Sequence, residues 1–447
     1  MLSSCQKYLD IKTESQQTFI ETSKDCQALL DNYGSLNIAY PSDGISSSDD
    51  YFITDNSYIS NALTQEDRNF YTWQATAQRA LASNQWTRTY NKIYTANLVL
   101  ESLNKIRDNP AQSTRNALRG AALFFRAFSY WQIAQIYSLP YVSTNADSNL
   151  GIPLRYTSDI NEVSKRGTVQ QTYERIVADL KEASSLLPNT FSVASRPSKV
   201  AAEAMLARVY LTMGEYLLAI ESANIALQIK NDLIDYNIIS KTNVTPFVRF
   251  NNEVIFHAVS VQSALLNSAI TAQNVAKINP DIVSTYDNND LRKTIYLKPI
   301  AGSSGSFSFT GNYEPTTNGT LFIGLAVDEL YLTRAECYAR TENVTQAMSD
   351  LNTLLRTRWS SGTYTDFIAS SPAEALSKVL LERRKELLMR GLRWTDLRRL
   401  NNDLNQKIDL IRIIQGNQYR LLANDNRYAL LIPAEVIVNS NIEQNKR

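Results

Sequence analysis

The sequence predicts a mainly α-helical fold: a scaffold of paired helices interrupted by one loop-rich, partly β insertion. Three observations carry that expectation. Apolar residues recur at spacings of three and four through residues 80–230, and again through residues 324–402. Proline and glycine punctuate the ends of those stretches. Across residues 231–323 the helical period gives way to Asn, Ser, Thr and Gly with short β-like runs. The 447 residues read as one domain, with residues 1–20 as a polar tether.

The first long helix is expected from Trp86 to Leu103, with Trp86, Tyr90, Ile93, Tyr94 and Asn97 in helical register, until Asn109-Pro110 breaks the pattern. A second helix, from about Ser113 to Tyr137, has a wide apolar face and should be well buried. Leu139-Pro140 and Gly151-Ile152-Pro153 mark an extended crossing. The next helix takes Thr168 as N-cap and ends at Leu187, before Pro188. In Ser198–Ile229, Ala207, Tyr210, Gly214, Tyr216, Ala219, Ala226 and Leu227 have the spacing of a tetratricopeptide repeat. Small residues let two antiparallel helices approach, Gly214 permits the turn, and Tyr210 and Leu227 fill the gap. A second copy aligns Ala335, Tyr338, Ala347 and Leu355 with Ala207, Tyr210, Ala219 and Leu227, with Glu342 in place of the turn glycine. About a hundred residues separate the copies, which argues against a continuous solenoid.

Within the insertion, Val254–Val259 and Thr294–Leu297 read as β-like, and 302–306 and 316–319 as flexible loops. Gly302–Ser306 lacks a following Gly-Lys-Ser/Thr and opens no helix, so it is no phosphate cradle. Pro372 opens a helix over Ala373–Met389 that Gly391 ends, and Arg393–Leu400 resumes it. Tyr428–Pro433 is a short apolar strand or turn before a polar end.

Composition excludes several function classes. With 45 basic and 44 acidic residues the chain is no globally basic nucleic-acid binder. One histidine, His257, excludes multi-histidine metal sites, and three cysteines supply neither a zinc ribbon nor a disulfide framework. No apolar run has the length to span a bilayer. Twenty-four tyrosines against 14 phenylalanines give amphipathic, hydrogen-bonding surface. At the N-terminus, Leu2-Ser3-Ser4-Cys5 has the shape of a lipoprotein processing site, although the charged and apolar segments of a signal peptide are not in this sequence. A free cysteine near a frayed end is the alternative.

Several ordered motifs resemble one known family: Trp86…Tyr90…Ile93…Ala96-Asn97, Arg126-Ala127-Phe128, Ile136-Tyr137-Ser138-Leu139-Pro140 and Gly151-Ile152-Pro153-Leu154. Further on come Glu382-Arg383-Arg384-Lys385-Glu386-Leu387, Gly391-Leu392-Arg393-Trp394-Thr395-Asp396-Leu397-Arg398-Arg399 and Leu431-Ile432-Pro433-Ala434-Glu435. With Ser48-Asp49-Asp50-Tyr51 and Cys5–Asp10, they resemble the SusD/RagB family of Bacteroidetes outer-membrane nutrient-binding lipoproteins. Arg390 departs from the acidic residue common before the glycine, and Ser138 from the usual glycine. The resemblance implies a tetratricopeptide-like frame under a variable loop face, and a lipid on Cys5 that anchors the chain to the outer membrane at the cell surface. It also implies a non-enzymatic binding protein, without cofactor, that passes glycans or peptides to a SusC-like TonB-dependent transporter.

The cluster Arg383, Arg384, Lys385, Arg390, Arg393, Arg398 and Arg399 is interleaved with Glu382, Glu386 and Asp396, so ion pairs are expected rather than a nucleic-acid patch. His257, in an apolar run, is expected to be a satisfied core histidine. Asp49-Asp50, Asp287 and Asp290 could supply a glycosidase-type carboxylate pair or a Ca²⁺ site, but no spacing fixes either. Glycan recognition needs exposed aromatic faces for sugar rings, with amides, carboxylates and guanidinium groups for the hydroxyls. The candidates outside clear helices are Tyr51, Tyr71, Trp73, Tyr286, Tyr296 and Tyr313, with Tyr58 and Trp359 behind them. Asp50, Asn69, Asn288 and Arg292 are the polar partners, whereas Trp86 and Trp131 are assigned to packing. The reading is therefore a glycan-capturing protein. Its rivals are a peptide-binding member of the family, an α-helical glycoside hydrolase and a protein-binding repeat scaffold.

Overall fold

The computed structural model describes residues 20–82 and 85–447; Cys5 and the tether residues before Ile20 lie outside them. Five short helices lead: α1 (Ser23–Leu30), α2 (Tyr33–Leu36), α3 (Asp43–Ser47), α4 (Asp55–Ile59) and α5 (Gln65–Tyr71). The scaffold follows as α6 (Trp86–Ser102), α7 (Gln112–Tyr137), α8 (Val169–Leu186), α9 (Lys199–Met213) and α10 (Tyr216–Ile229). After α11 (Pro280–Val283) and α12 (Leu291–Tyr296) it resumes with α13 (Val327–Arg340), α14 (Val344–Arg356), α15 (Pro372–Glu386) and α16 (Arg393–Leu400), and α17 (Ala434–Ser440) closes the chain.

Strands occur only as two-stranded antiparallel pairs among the described residues. β1 (Tyr51–Phe52) pairs with β5 (Lys277–Ile278), and β2 (Leu150–Pro153) with β3 (Arg166–Thr168). β4 (Val254–Phe256) pairs with β8 (Leu325–Ala326), β6 (Leu297–Ile300) with β7 (Ser303–Phe309), and β9 (Leu410–Ile414) with β10 (Asn417–Leu421).

The mainly α expectation holds. Helix α7 is the centre of the core, with every residue from Gly120 to Tyr137 buried. Phe124 and Phe128 pack edge-on against Phe256 of β4, and each such side chain contributes roughly 1.5–3 kcal/mol by burial. Arg126 ties three helices together. It donates to both Asp179 carboxylate oxygens of α8 at 2.7 and 2.8 Å and to the side-chain amide oxygen of Asn97 in α6 at 2.8 Å. Thr168 caps α8 as expected, in a reciprocal arrangement with Gln171.

The two repeat-like copies form one frame in space. Arg208 of α9 pairs with Glu329 of α13 at 2.5 Å. Arg334 of α13 reaches Asn224 of α10 at 2.7 Å and Asp350 of α14 at 2.6 Å. The insertion therefore leaves from α10 and returns beside it, and the expected break in the helical frame exists in sequence only. Gly214 closes the α9–α10 turn at φ +81°, and Glu342 closes the matching α13–α14 turn at φ +64°.

Two boundaries differ from expectation. Helix α15 stops at Glu386, three residues early, because the Met389 N–H turns to Asp50 Oδ2 (3.1 Å) and Met389 itself takes φ +56°. Thr294–Tyr296 finish α12 rather than starting a strand. They stay helical because Asp290 caps that turn.

The basic cluster is consumed by ion pairs. Arg383 meets Asp396 at 2.9 Å, Arg399 meets Asp396 and Glu336, and Lys385 meets Glu382 and Asp290. Arg384 and Arg393 share Asp49, and Arg390 pairs with Asp328 at 2.9 Å. Arg398 instead donates to the backbone oxygens of Gln135 and Ser138 at the end of α7. His257 is fully buried between Phe250 and Phe322, with Nδ1 3.1 Å from the Tyr33 hydroxyl and Nε2 3.2 Å from Glu314. Burial pushes its pKa below the ordinary histidine value.

Candidate functional site

The aromatic residues expected to form open platforms are turned inward. Tyr51, Tyr71 and Trp73 form a buried nest around Arg412 of β9, whose guanidinium carbon lies 3.7 Å from the Tyr71 ring centre and 4.3 Å from that of Trp73. The Trp73 indole N–H donates to the Ser47 oxygen at 2.9 Å, and the Tyr51 hydroxyl to the Ser46 oxygen at 2.6 Å. A cation already covers the faces a sugar would need.

The insertion candidates are buried on the opposite account, by a network of charges. The Tyr286 hydroxyl donates to the Lys385 oxygen (2.8 Å) and the Tyr313 hydroxyl to Glu253 (2.5 Å), while those of Tyr296 and Tyr236 lie 2.7 Å apart. Arg292 is fully enclosed by Asp290, Glu382 and Glu386. Arg358 joins Glu386 to Glu253 at 2.7 and 2.8 Å. Glu253, Asp328 and Glu386 bring carboxylate oxygens within 4.8 Å of one another, and Arg358, Arg390 and Arg292 already neutralise them.

Asp50 is also buried. Its pKa is pushed up to about 6 by burial and by neighbouring Asp49, whereas Arg393 and Arg384 hold Asp49 well below the usual carboxylate range. Asn69 is half-buried and accepts a hydrogen bond from Gln65, and exposed Asn288 accepts one from Lys293 at 2.7 Å. Tyr58 and Trp359 are half-buried. Of the ten predicted ligand residues, Asp50, Tyr51, Tyr71, Trp73, Tyr286, Arg292, Tyr296 and Tyr313 offer no face to a ligand; only Asn69 and Asn288 reach solvent. The expectation that these aromatics stand exposed as stacking faces is corrected accordingly. The hydroxyls of these five tyrosines each find a partner, so their rings can pack in the core.

An aromatic groove exists elsewhere, on the outer face of α6. Trp86, Tyr90 and Tyr94 recur every four residues and so stack along one side of the helix. The Trp86 and Tyr90 ring centres are 4.8 Å apart, and the Tyr137 ring wedges Trp86 from behind at 5.2 Å. Tyr90 is fixed by its hydroxyl, which donates to the Pro153 oxygen at 2.9 Å. Tyr94 is the open ring of the series, at 41% exposure. The groove has a volume of about 450 Å³, within the range of small-ligand clefts.

Its walls are rigidly held. The Asn97 amide clamps one wall by donating to the Arg155 and Thr157 oxygens, and Glu101 clamps it again through Ser158. Arg155 in turn holds the loop through the Glu162 oxygen and the Ser164 hydroxyl, and Ile160 projects from that loop. The other wall is α17, docked by the Ala434 and Glu435 N–H groups on the Arg79 and Ala80 oxygens. It presents Asn439 and Ser440, opposite Asn91 and Thr87 of α6. Stacking rings flanked by amides and hydroxyls suit a ligand that is apolar on its ring faces and hydroxylated at its edges. Glu435 is the only carboxylate among the described lining residues, and it accepts the Ala82 N–H at 2.9 Å.

The sequence assigned Trp86 to packing, and it is buried, but it named Tyr90 and Tyr94 only as helical positions, because a four-residue aromatic stripe is the usual mark of a buried helix face. The polar Thr87 and Asn91 between them carry the missed signal, a stripe bordered by groups that need solvent. Among the described residues no helix is long and apolar enough to cross a membrane.

Comparison with known proteins points one way. A family described as starch-binding, associating with the outer membrane, matches residues 7–211, and the SusD family matches residues 316–445. SusD-like protein P2 of Formosa agariphila is 33% identical over 143 residues, which span 32% of this chain and only 26% of that protein. SusD-like protein P38 of the same organism is 24% identical across 100% of this chain and 96% of its own. Among solved structures, a SusD superfamily protein from Bacteroides thetaiotaomicron superposes with a TM-score of 0.77 at 22% identity, covering 95% of this chain and 100% of that one. A SusD-like carbohydrate binding protein from Bacteroides vulgatus gives 0.71 at 19% identity, covering 94% and 97%.

Proposed function

We propose, for a chain that belongs to the SusD/RagB family, a family associated with the outer membrane, that it captures an oligosaccharide without chemical change and delivers it to a SusC-like TonB-dependent transporter. The α6 groove is the capture site. The observation that carries this reading is the Trp86–Tyr90–Tyr94 stripe between two polar, rigidly fixed walls. Tyr94 stacks on a sugar ring, Tyr90 and the edge of Trp86 extend the platform, and Thr87, Asn91 and Asn439 bond the hydroxyls. Because the site is held before the ligand arrives, little ordering cost is charged to binding.

The lining supports capture over cleavage. Hydrolysis of a glycosidic bond needs two carboxyl groups facing each other at roughly 5–10 Å. Among the described lining residues Glu435 is the one carboxylate, and it is bound to the backbone of Ala82. Anchorage through a lipid on Cys5 keeps the protein at the cell surface beside its transporter, with several acyl chains giving stable attachment where one would be marginal.

Calorimetric titration against plant, host and microbial polysaccharides, with peptide mixtures alongside, tests this reading. Saturable binding to a polysaccharide recovered uncut supports it. Cleavage of the carbohydrate, or binding to peptides alone, overturns it.

A further inference from the structure

A second concave site lies away from the α6 groove, where the loop after α7, the end of α16 and the segment following β10 converge. It encloses about 430 Å³. Its rim is a ring of amides. Asn145, Asn402, Asn424 and Asn426 are all exposed, and each brings both a donor and an acceptor. Much of that capacity is unspent: Asn426 makes no side-chain hydrogen bond among the described residues, and Asn402 only a long one, 3.4 Å, to the Arg398 oxygen. Leu139 and Pro140 supply an apolar strip on one side.

Beneath the rim lie Arg398, Asn401 and Tyr428, all buried and closed to solvent, with the Asn401 amide against the Tyr428 hydroxyl. The Asn401 oxygen is taken by the Ile408 N–H at 3.0 Å. The Arg398 charge is already answered by the carbonyl end of α7, through the Gln135 and Ser138 oxygens. Asp425, the carboxylate of the lining, is paired with Arg427 at 2.7 Å, so no charge in the crevice calls for an anion. The exposed rim amides suit groups that donate and accept in turn, as hydroxyls do.

We infer that this crevice is a second sugar subsite that takes a single neutral pyranose, its hydroxyls on the asparagine rim and one ring face on Leu139 and Pro140. The inference rests on the glycan-capture reading and extends it: two separate sites on one chain would hold two points of a long glycan, raising avidity without a larger single site.

The test is saturation-transfer NMR of the full chain with methyl α-D-glucopyranoside, methyl β-D-galactopyranoside and methyl α-D-mannopyranoside at millimolar concentration, with methyl β-D-glucuronide as the acidic comparison. At least one neutral glycoside is expected to give signal. The double variant Asn402→Ala/Asn426→Ala, both sites exposed, is expected to weaken it by roughly tenfold while its thermal unfolding stays unchanged. Signal that persists in that variant overturns the inference. Signal that vanishes instead in Tyr94→Ala assigns the monosaccharide to the α6 groove, which overturns the crevice and sustains the groove. Binding of the glucuronide alone overturns the neutral class. Silence toward every glycoside overturns the crevice site, and only silence toward polysaccharides as well removes the glycan-capture reading.

Discussion

The Arg412 guanidinium sits face-on to Tyr71, its carbon 3.7 Å from the ring centre. Its two terminal nitrogens donate to the backbone carbonyl oxygens of Tyr71 and Ser48, so one side chain from β9 closes the N-terminal helices against the C-terminal hairpin. Replacing it by methionine keeps the stem and removes the charge and both donors. Arg412→Met is expected to cost about 2–4 kcal/mol, the sum of a desolvated cation–π contact and two lost hydrogen bonds. Urea unfolding measures it. A loss below half a kilocalorie would show that the nest holds without its arginine.

Glu342 occupies the left-handed position that Gly214 fills in the matching turn, φ +64° against +81°. Its side chain is exposed and makes no bond there, so the strain is uncompensated. Glu342→Gly is expected to stabilise the chain by about 1 kcal/mol, read as a higher melting temperature. A lower melting temperature would mean that the glutamate contributes something beyond its backbone.

Asp50 gives a pH dependence of defined sign. Its folded pKa, about 6, lies above the ordinary 3.8, so the folded state binds the proton more tightly than the unfolded chain. The stability it contributes is complete below about pH 4 and is lost as the pH rises through about 6. In Asp50→Asn the amide oxygen still accepts the Met389 N–H, and this loss disappears. Chemical unfolding of both proteins between those pH values is expected to give a difference that grows with pH in favour of the variant. Parallel curves would contradict it.

Much of the frame was legible in the sequence, and the reasons are local. Thr168 as N-cap, Gly214 as turn and the small residues Ala207 and Ala219 as helix contacts act through neighbours within a few residues or a helical turn. The fate of the tyrosines was not legible. Tyr51, Tyr71 and Tyr296 lie in very short elements, Tyr286 and Tyr313 in irregular segments, and all carry a polar tip, which on a sequence reads as surface. Their burial depends on residues far along the chain: Arg412 for Tyr71, the Lys385 carbonyl for Tyr286, Glu253 for Tyr313. Tyr94 went unmarked for the opposite reason, since it shares helical register with buried Trp86 while the fold leaves that end of the stripe open.

Whether the α6 groove takes the glycan is decided by a single comparison of affinities. The affinity of wild type and Tyr94→Ala is measured by calorimetry for the polysaccharide that binds, with the melting temperature of each recorded. Loss of the open stacking ring is expected to weaken binding roughly tenfold or more, about 1.4 kcal/mol or above, with the melting temperature unchanged. Equal affinity in the two proteins would contradict the assignment and move the capture site off the α6 face.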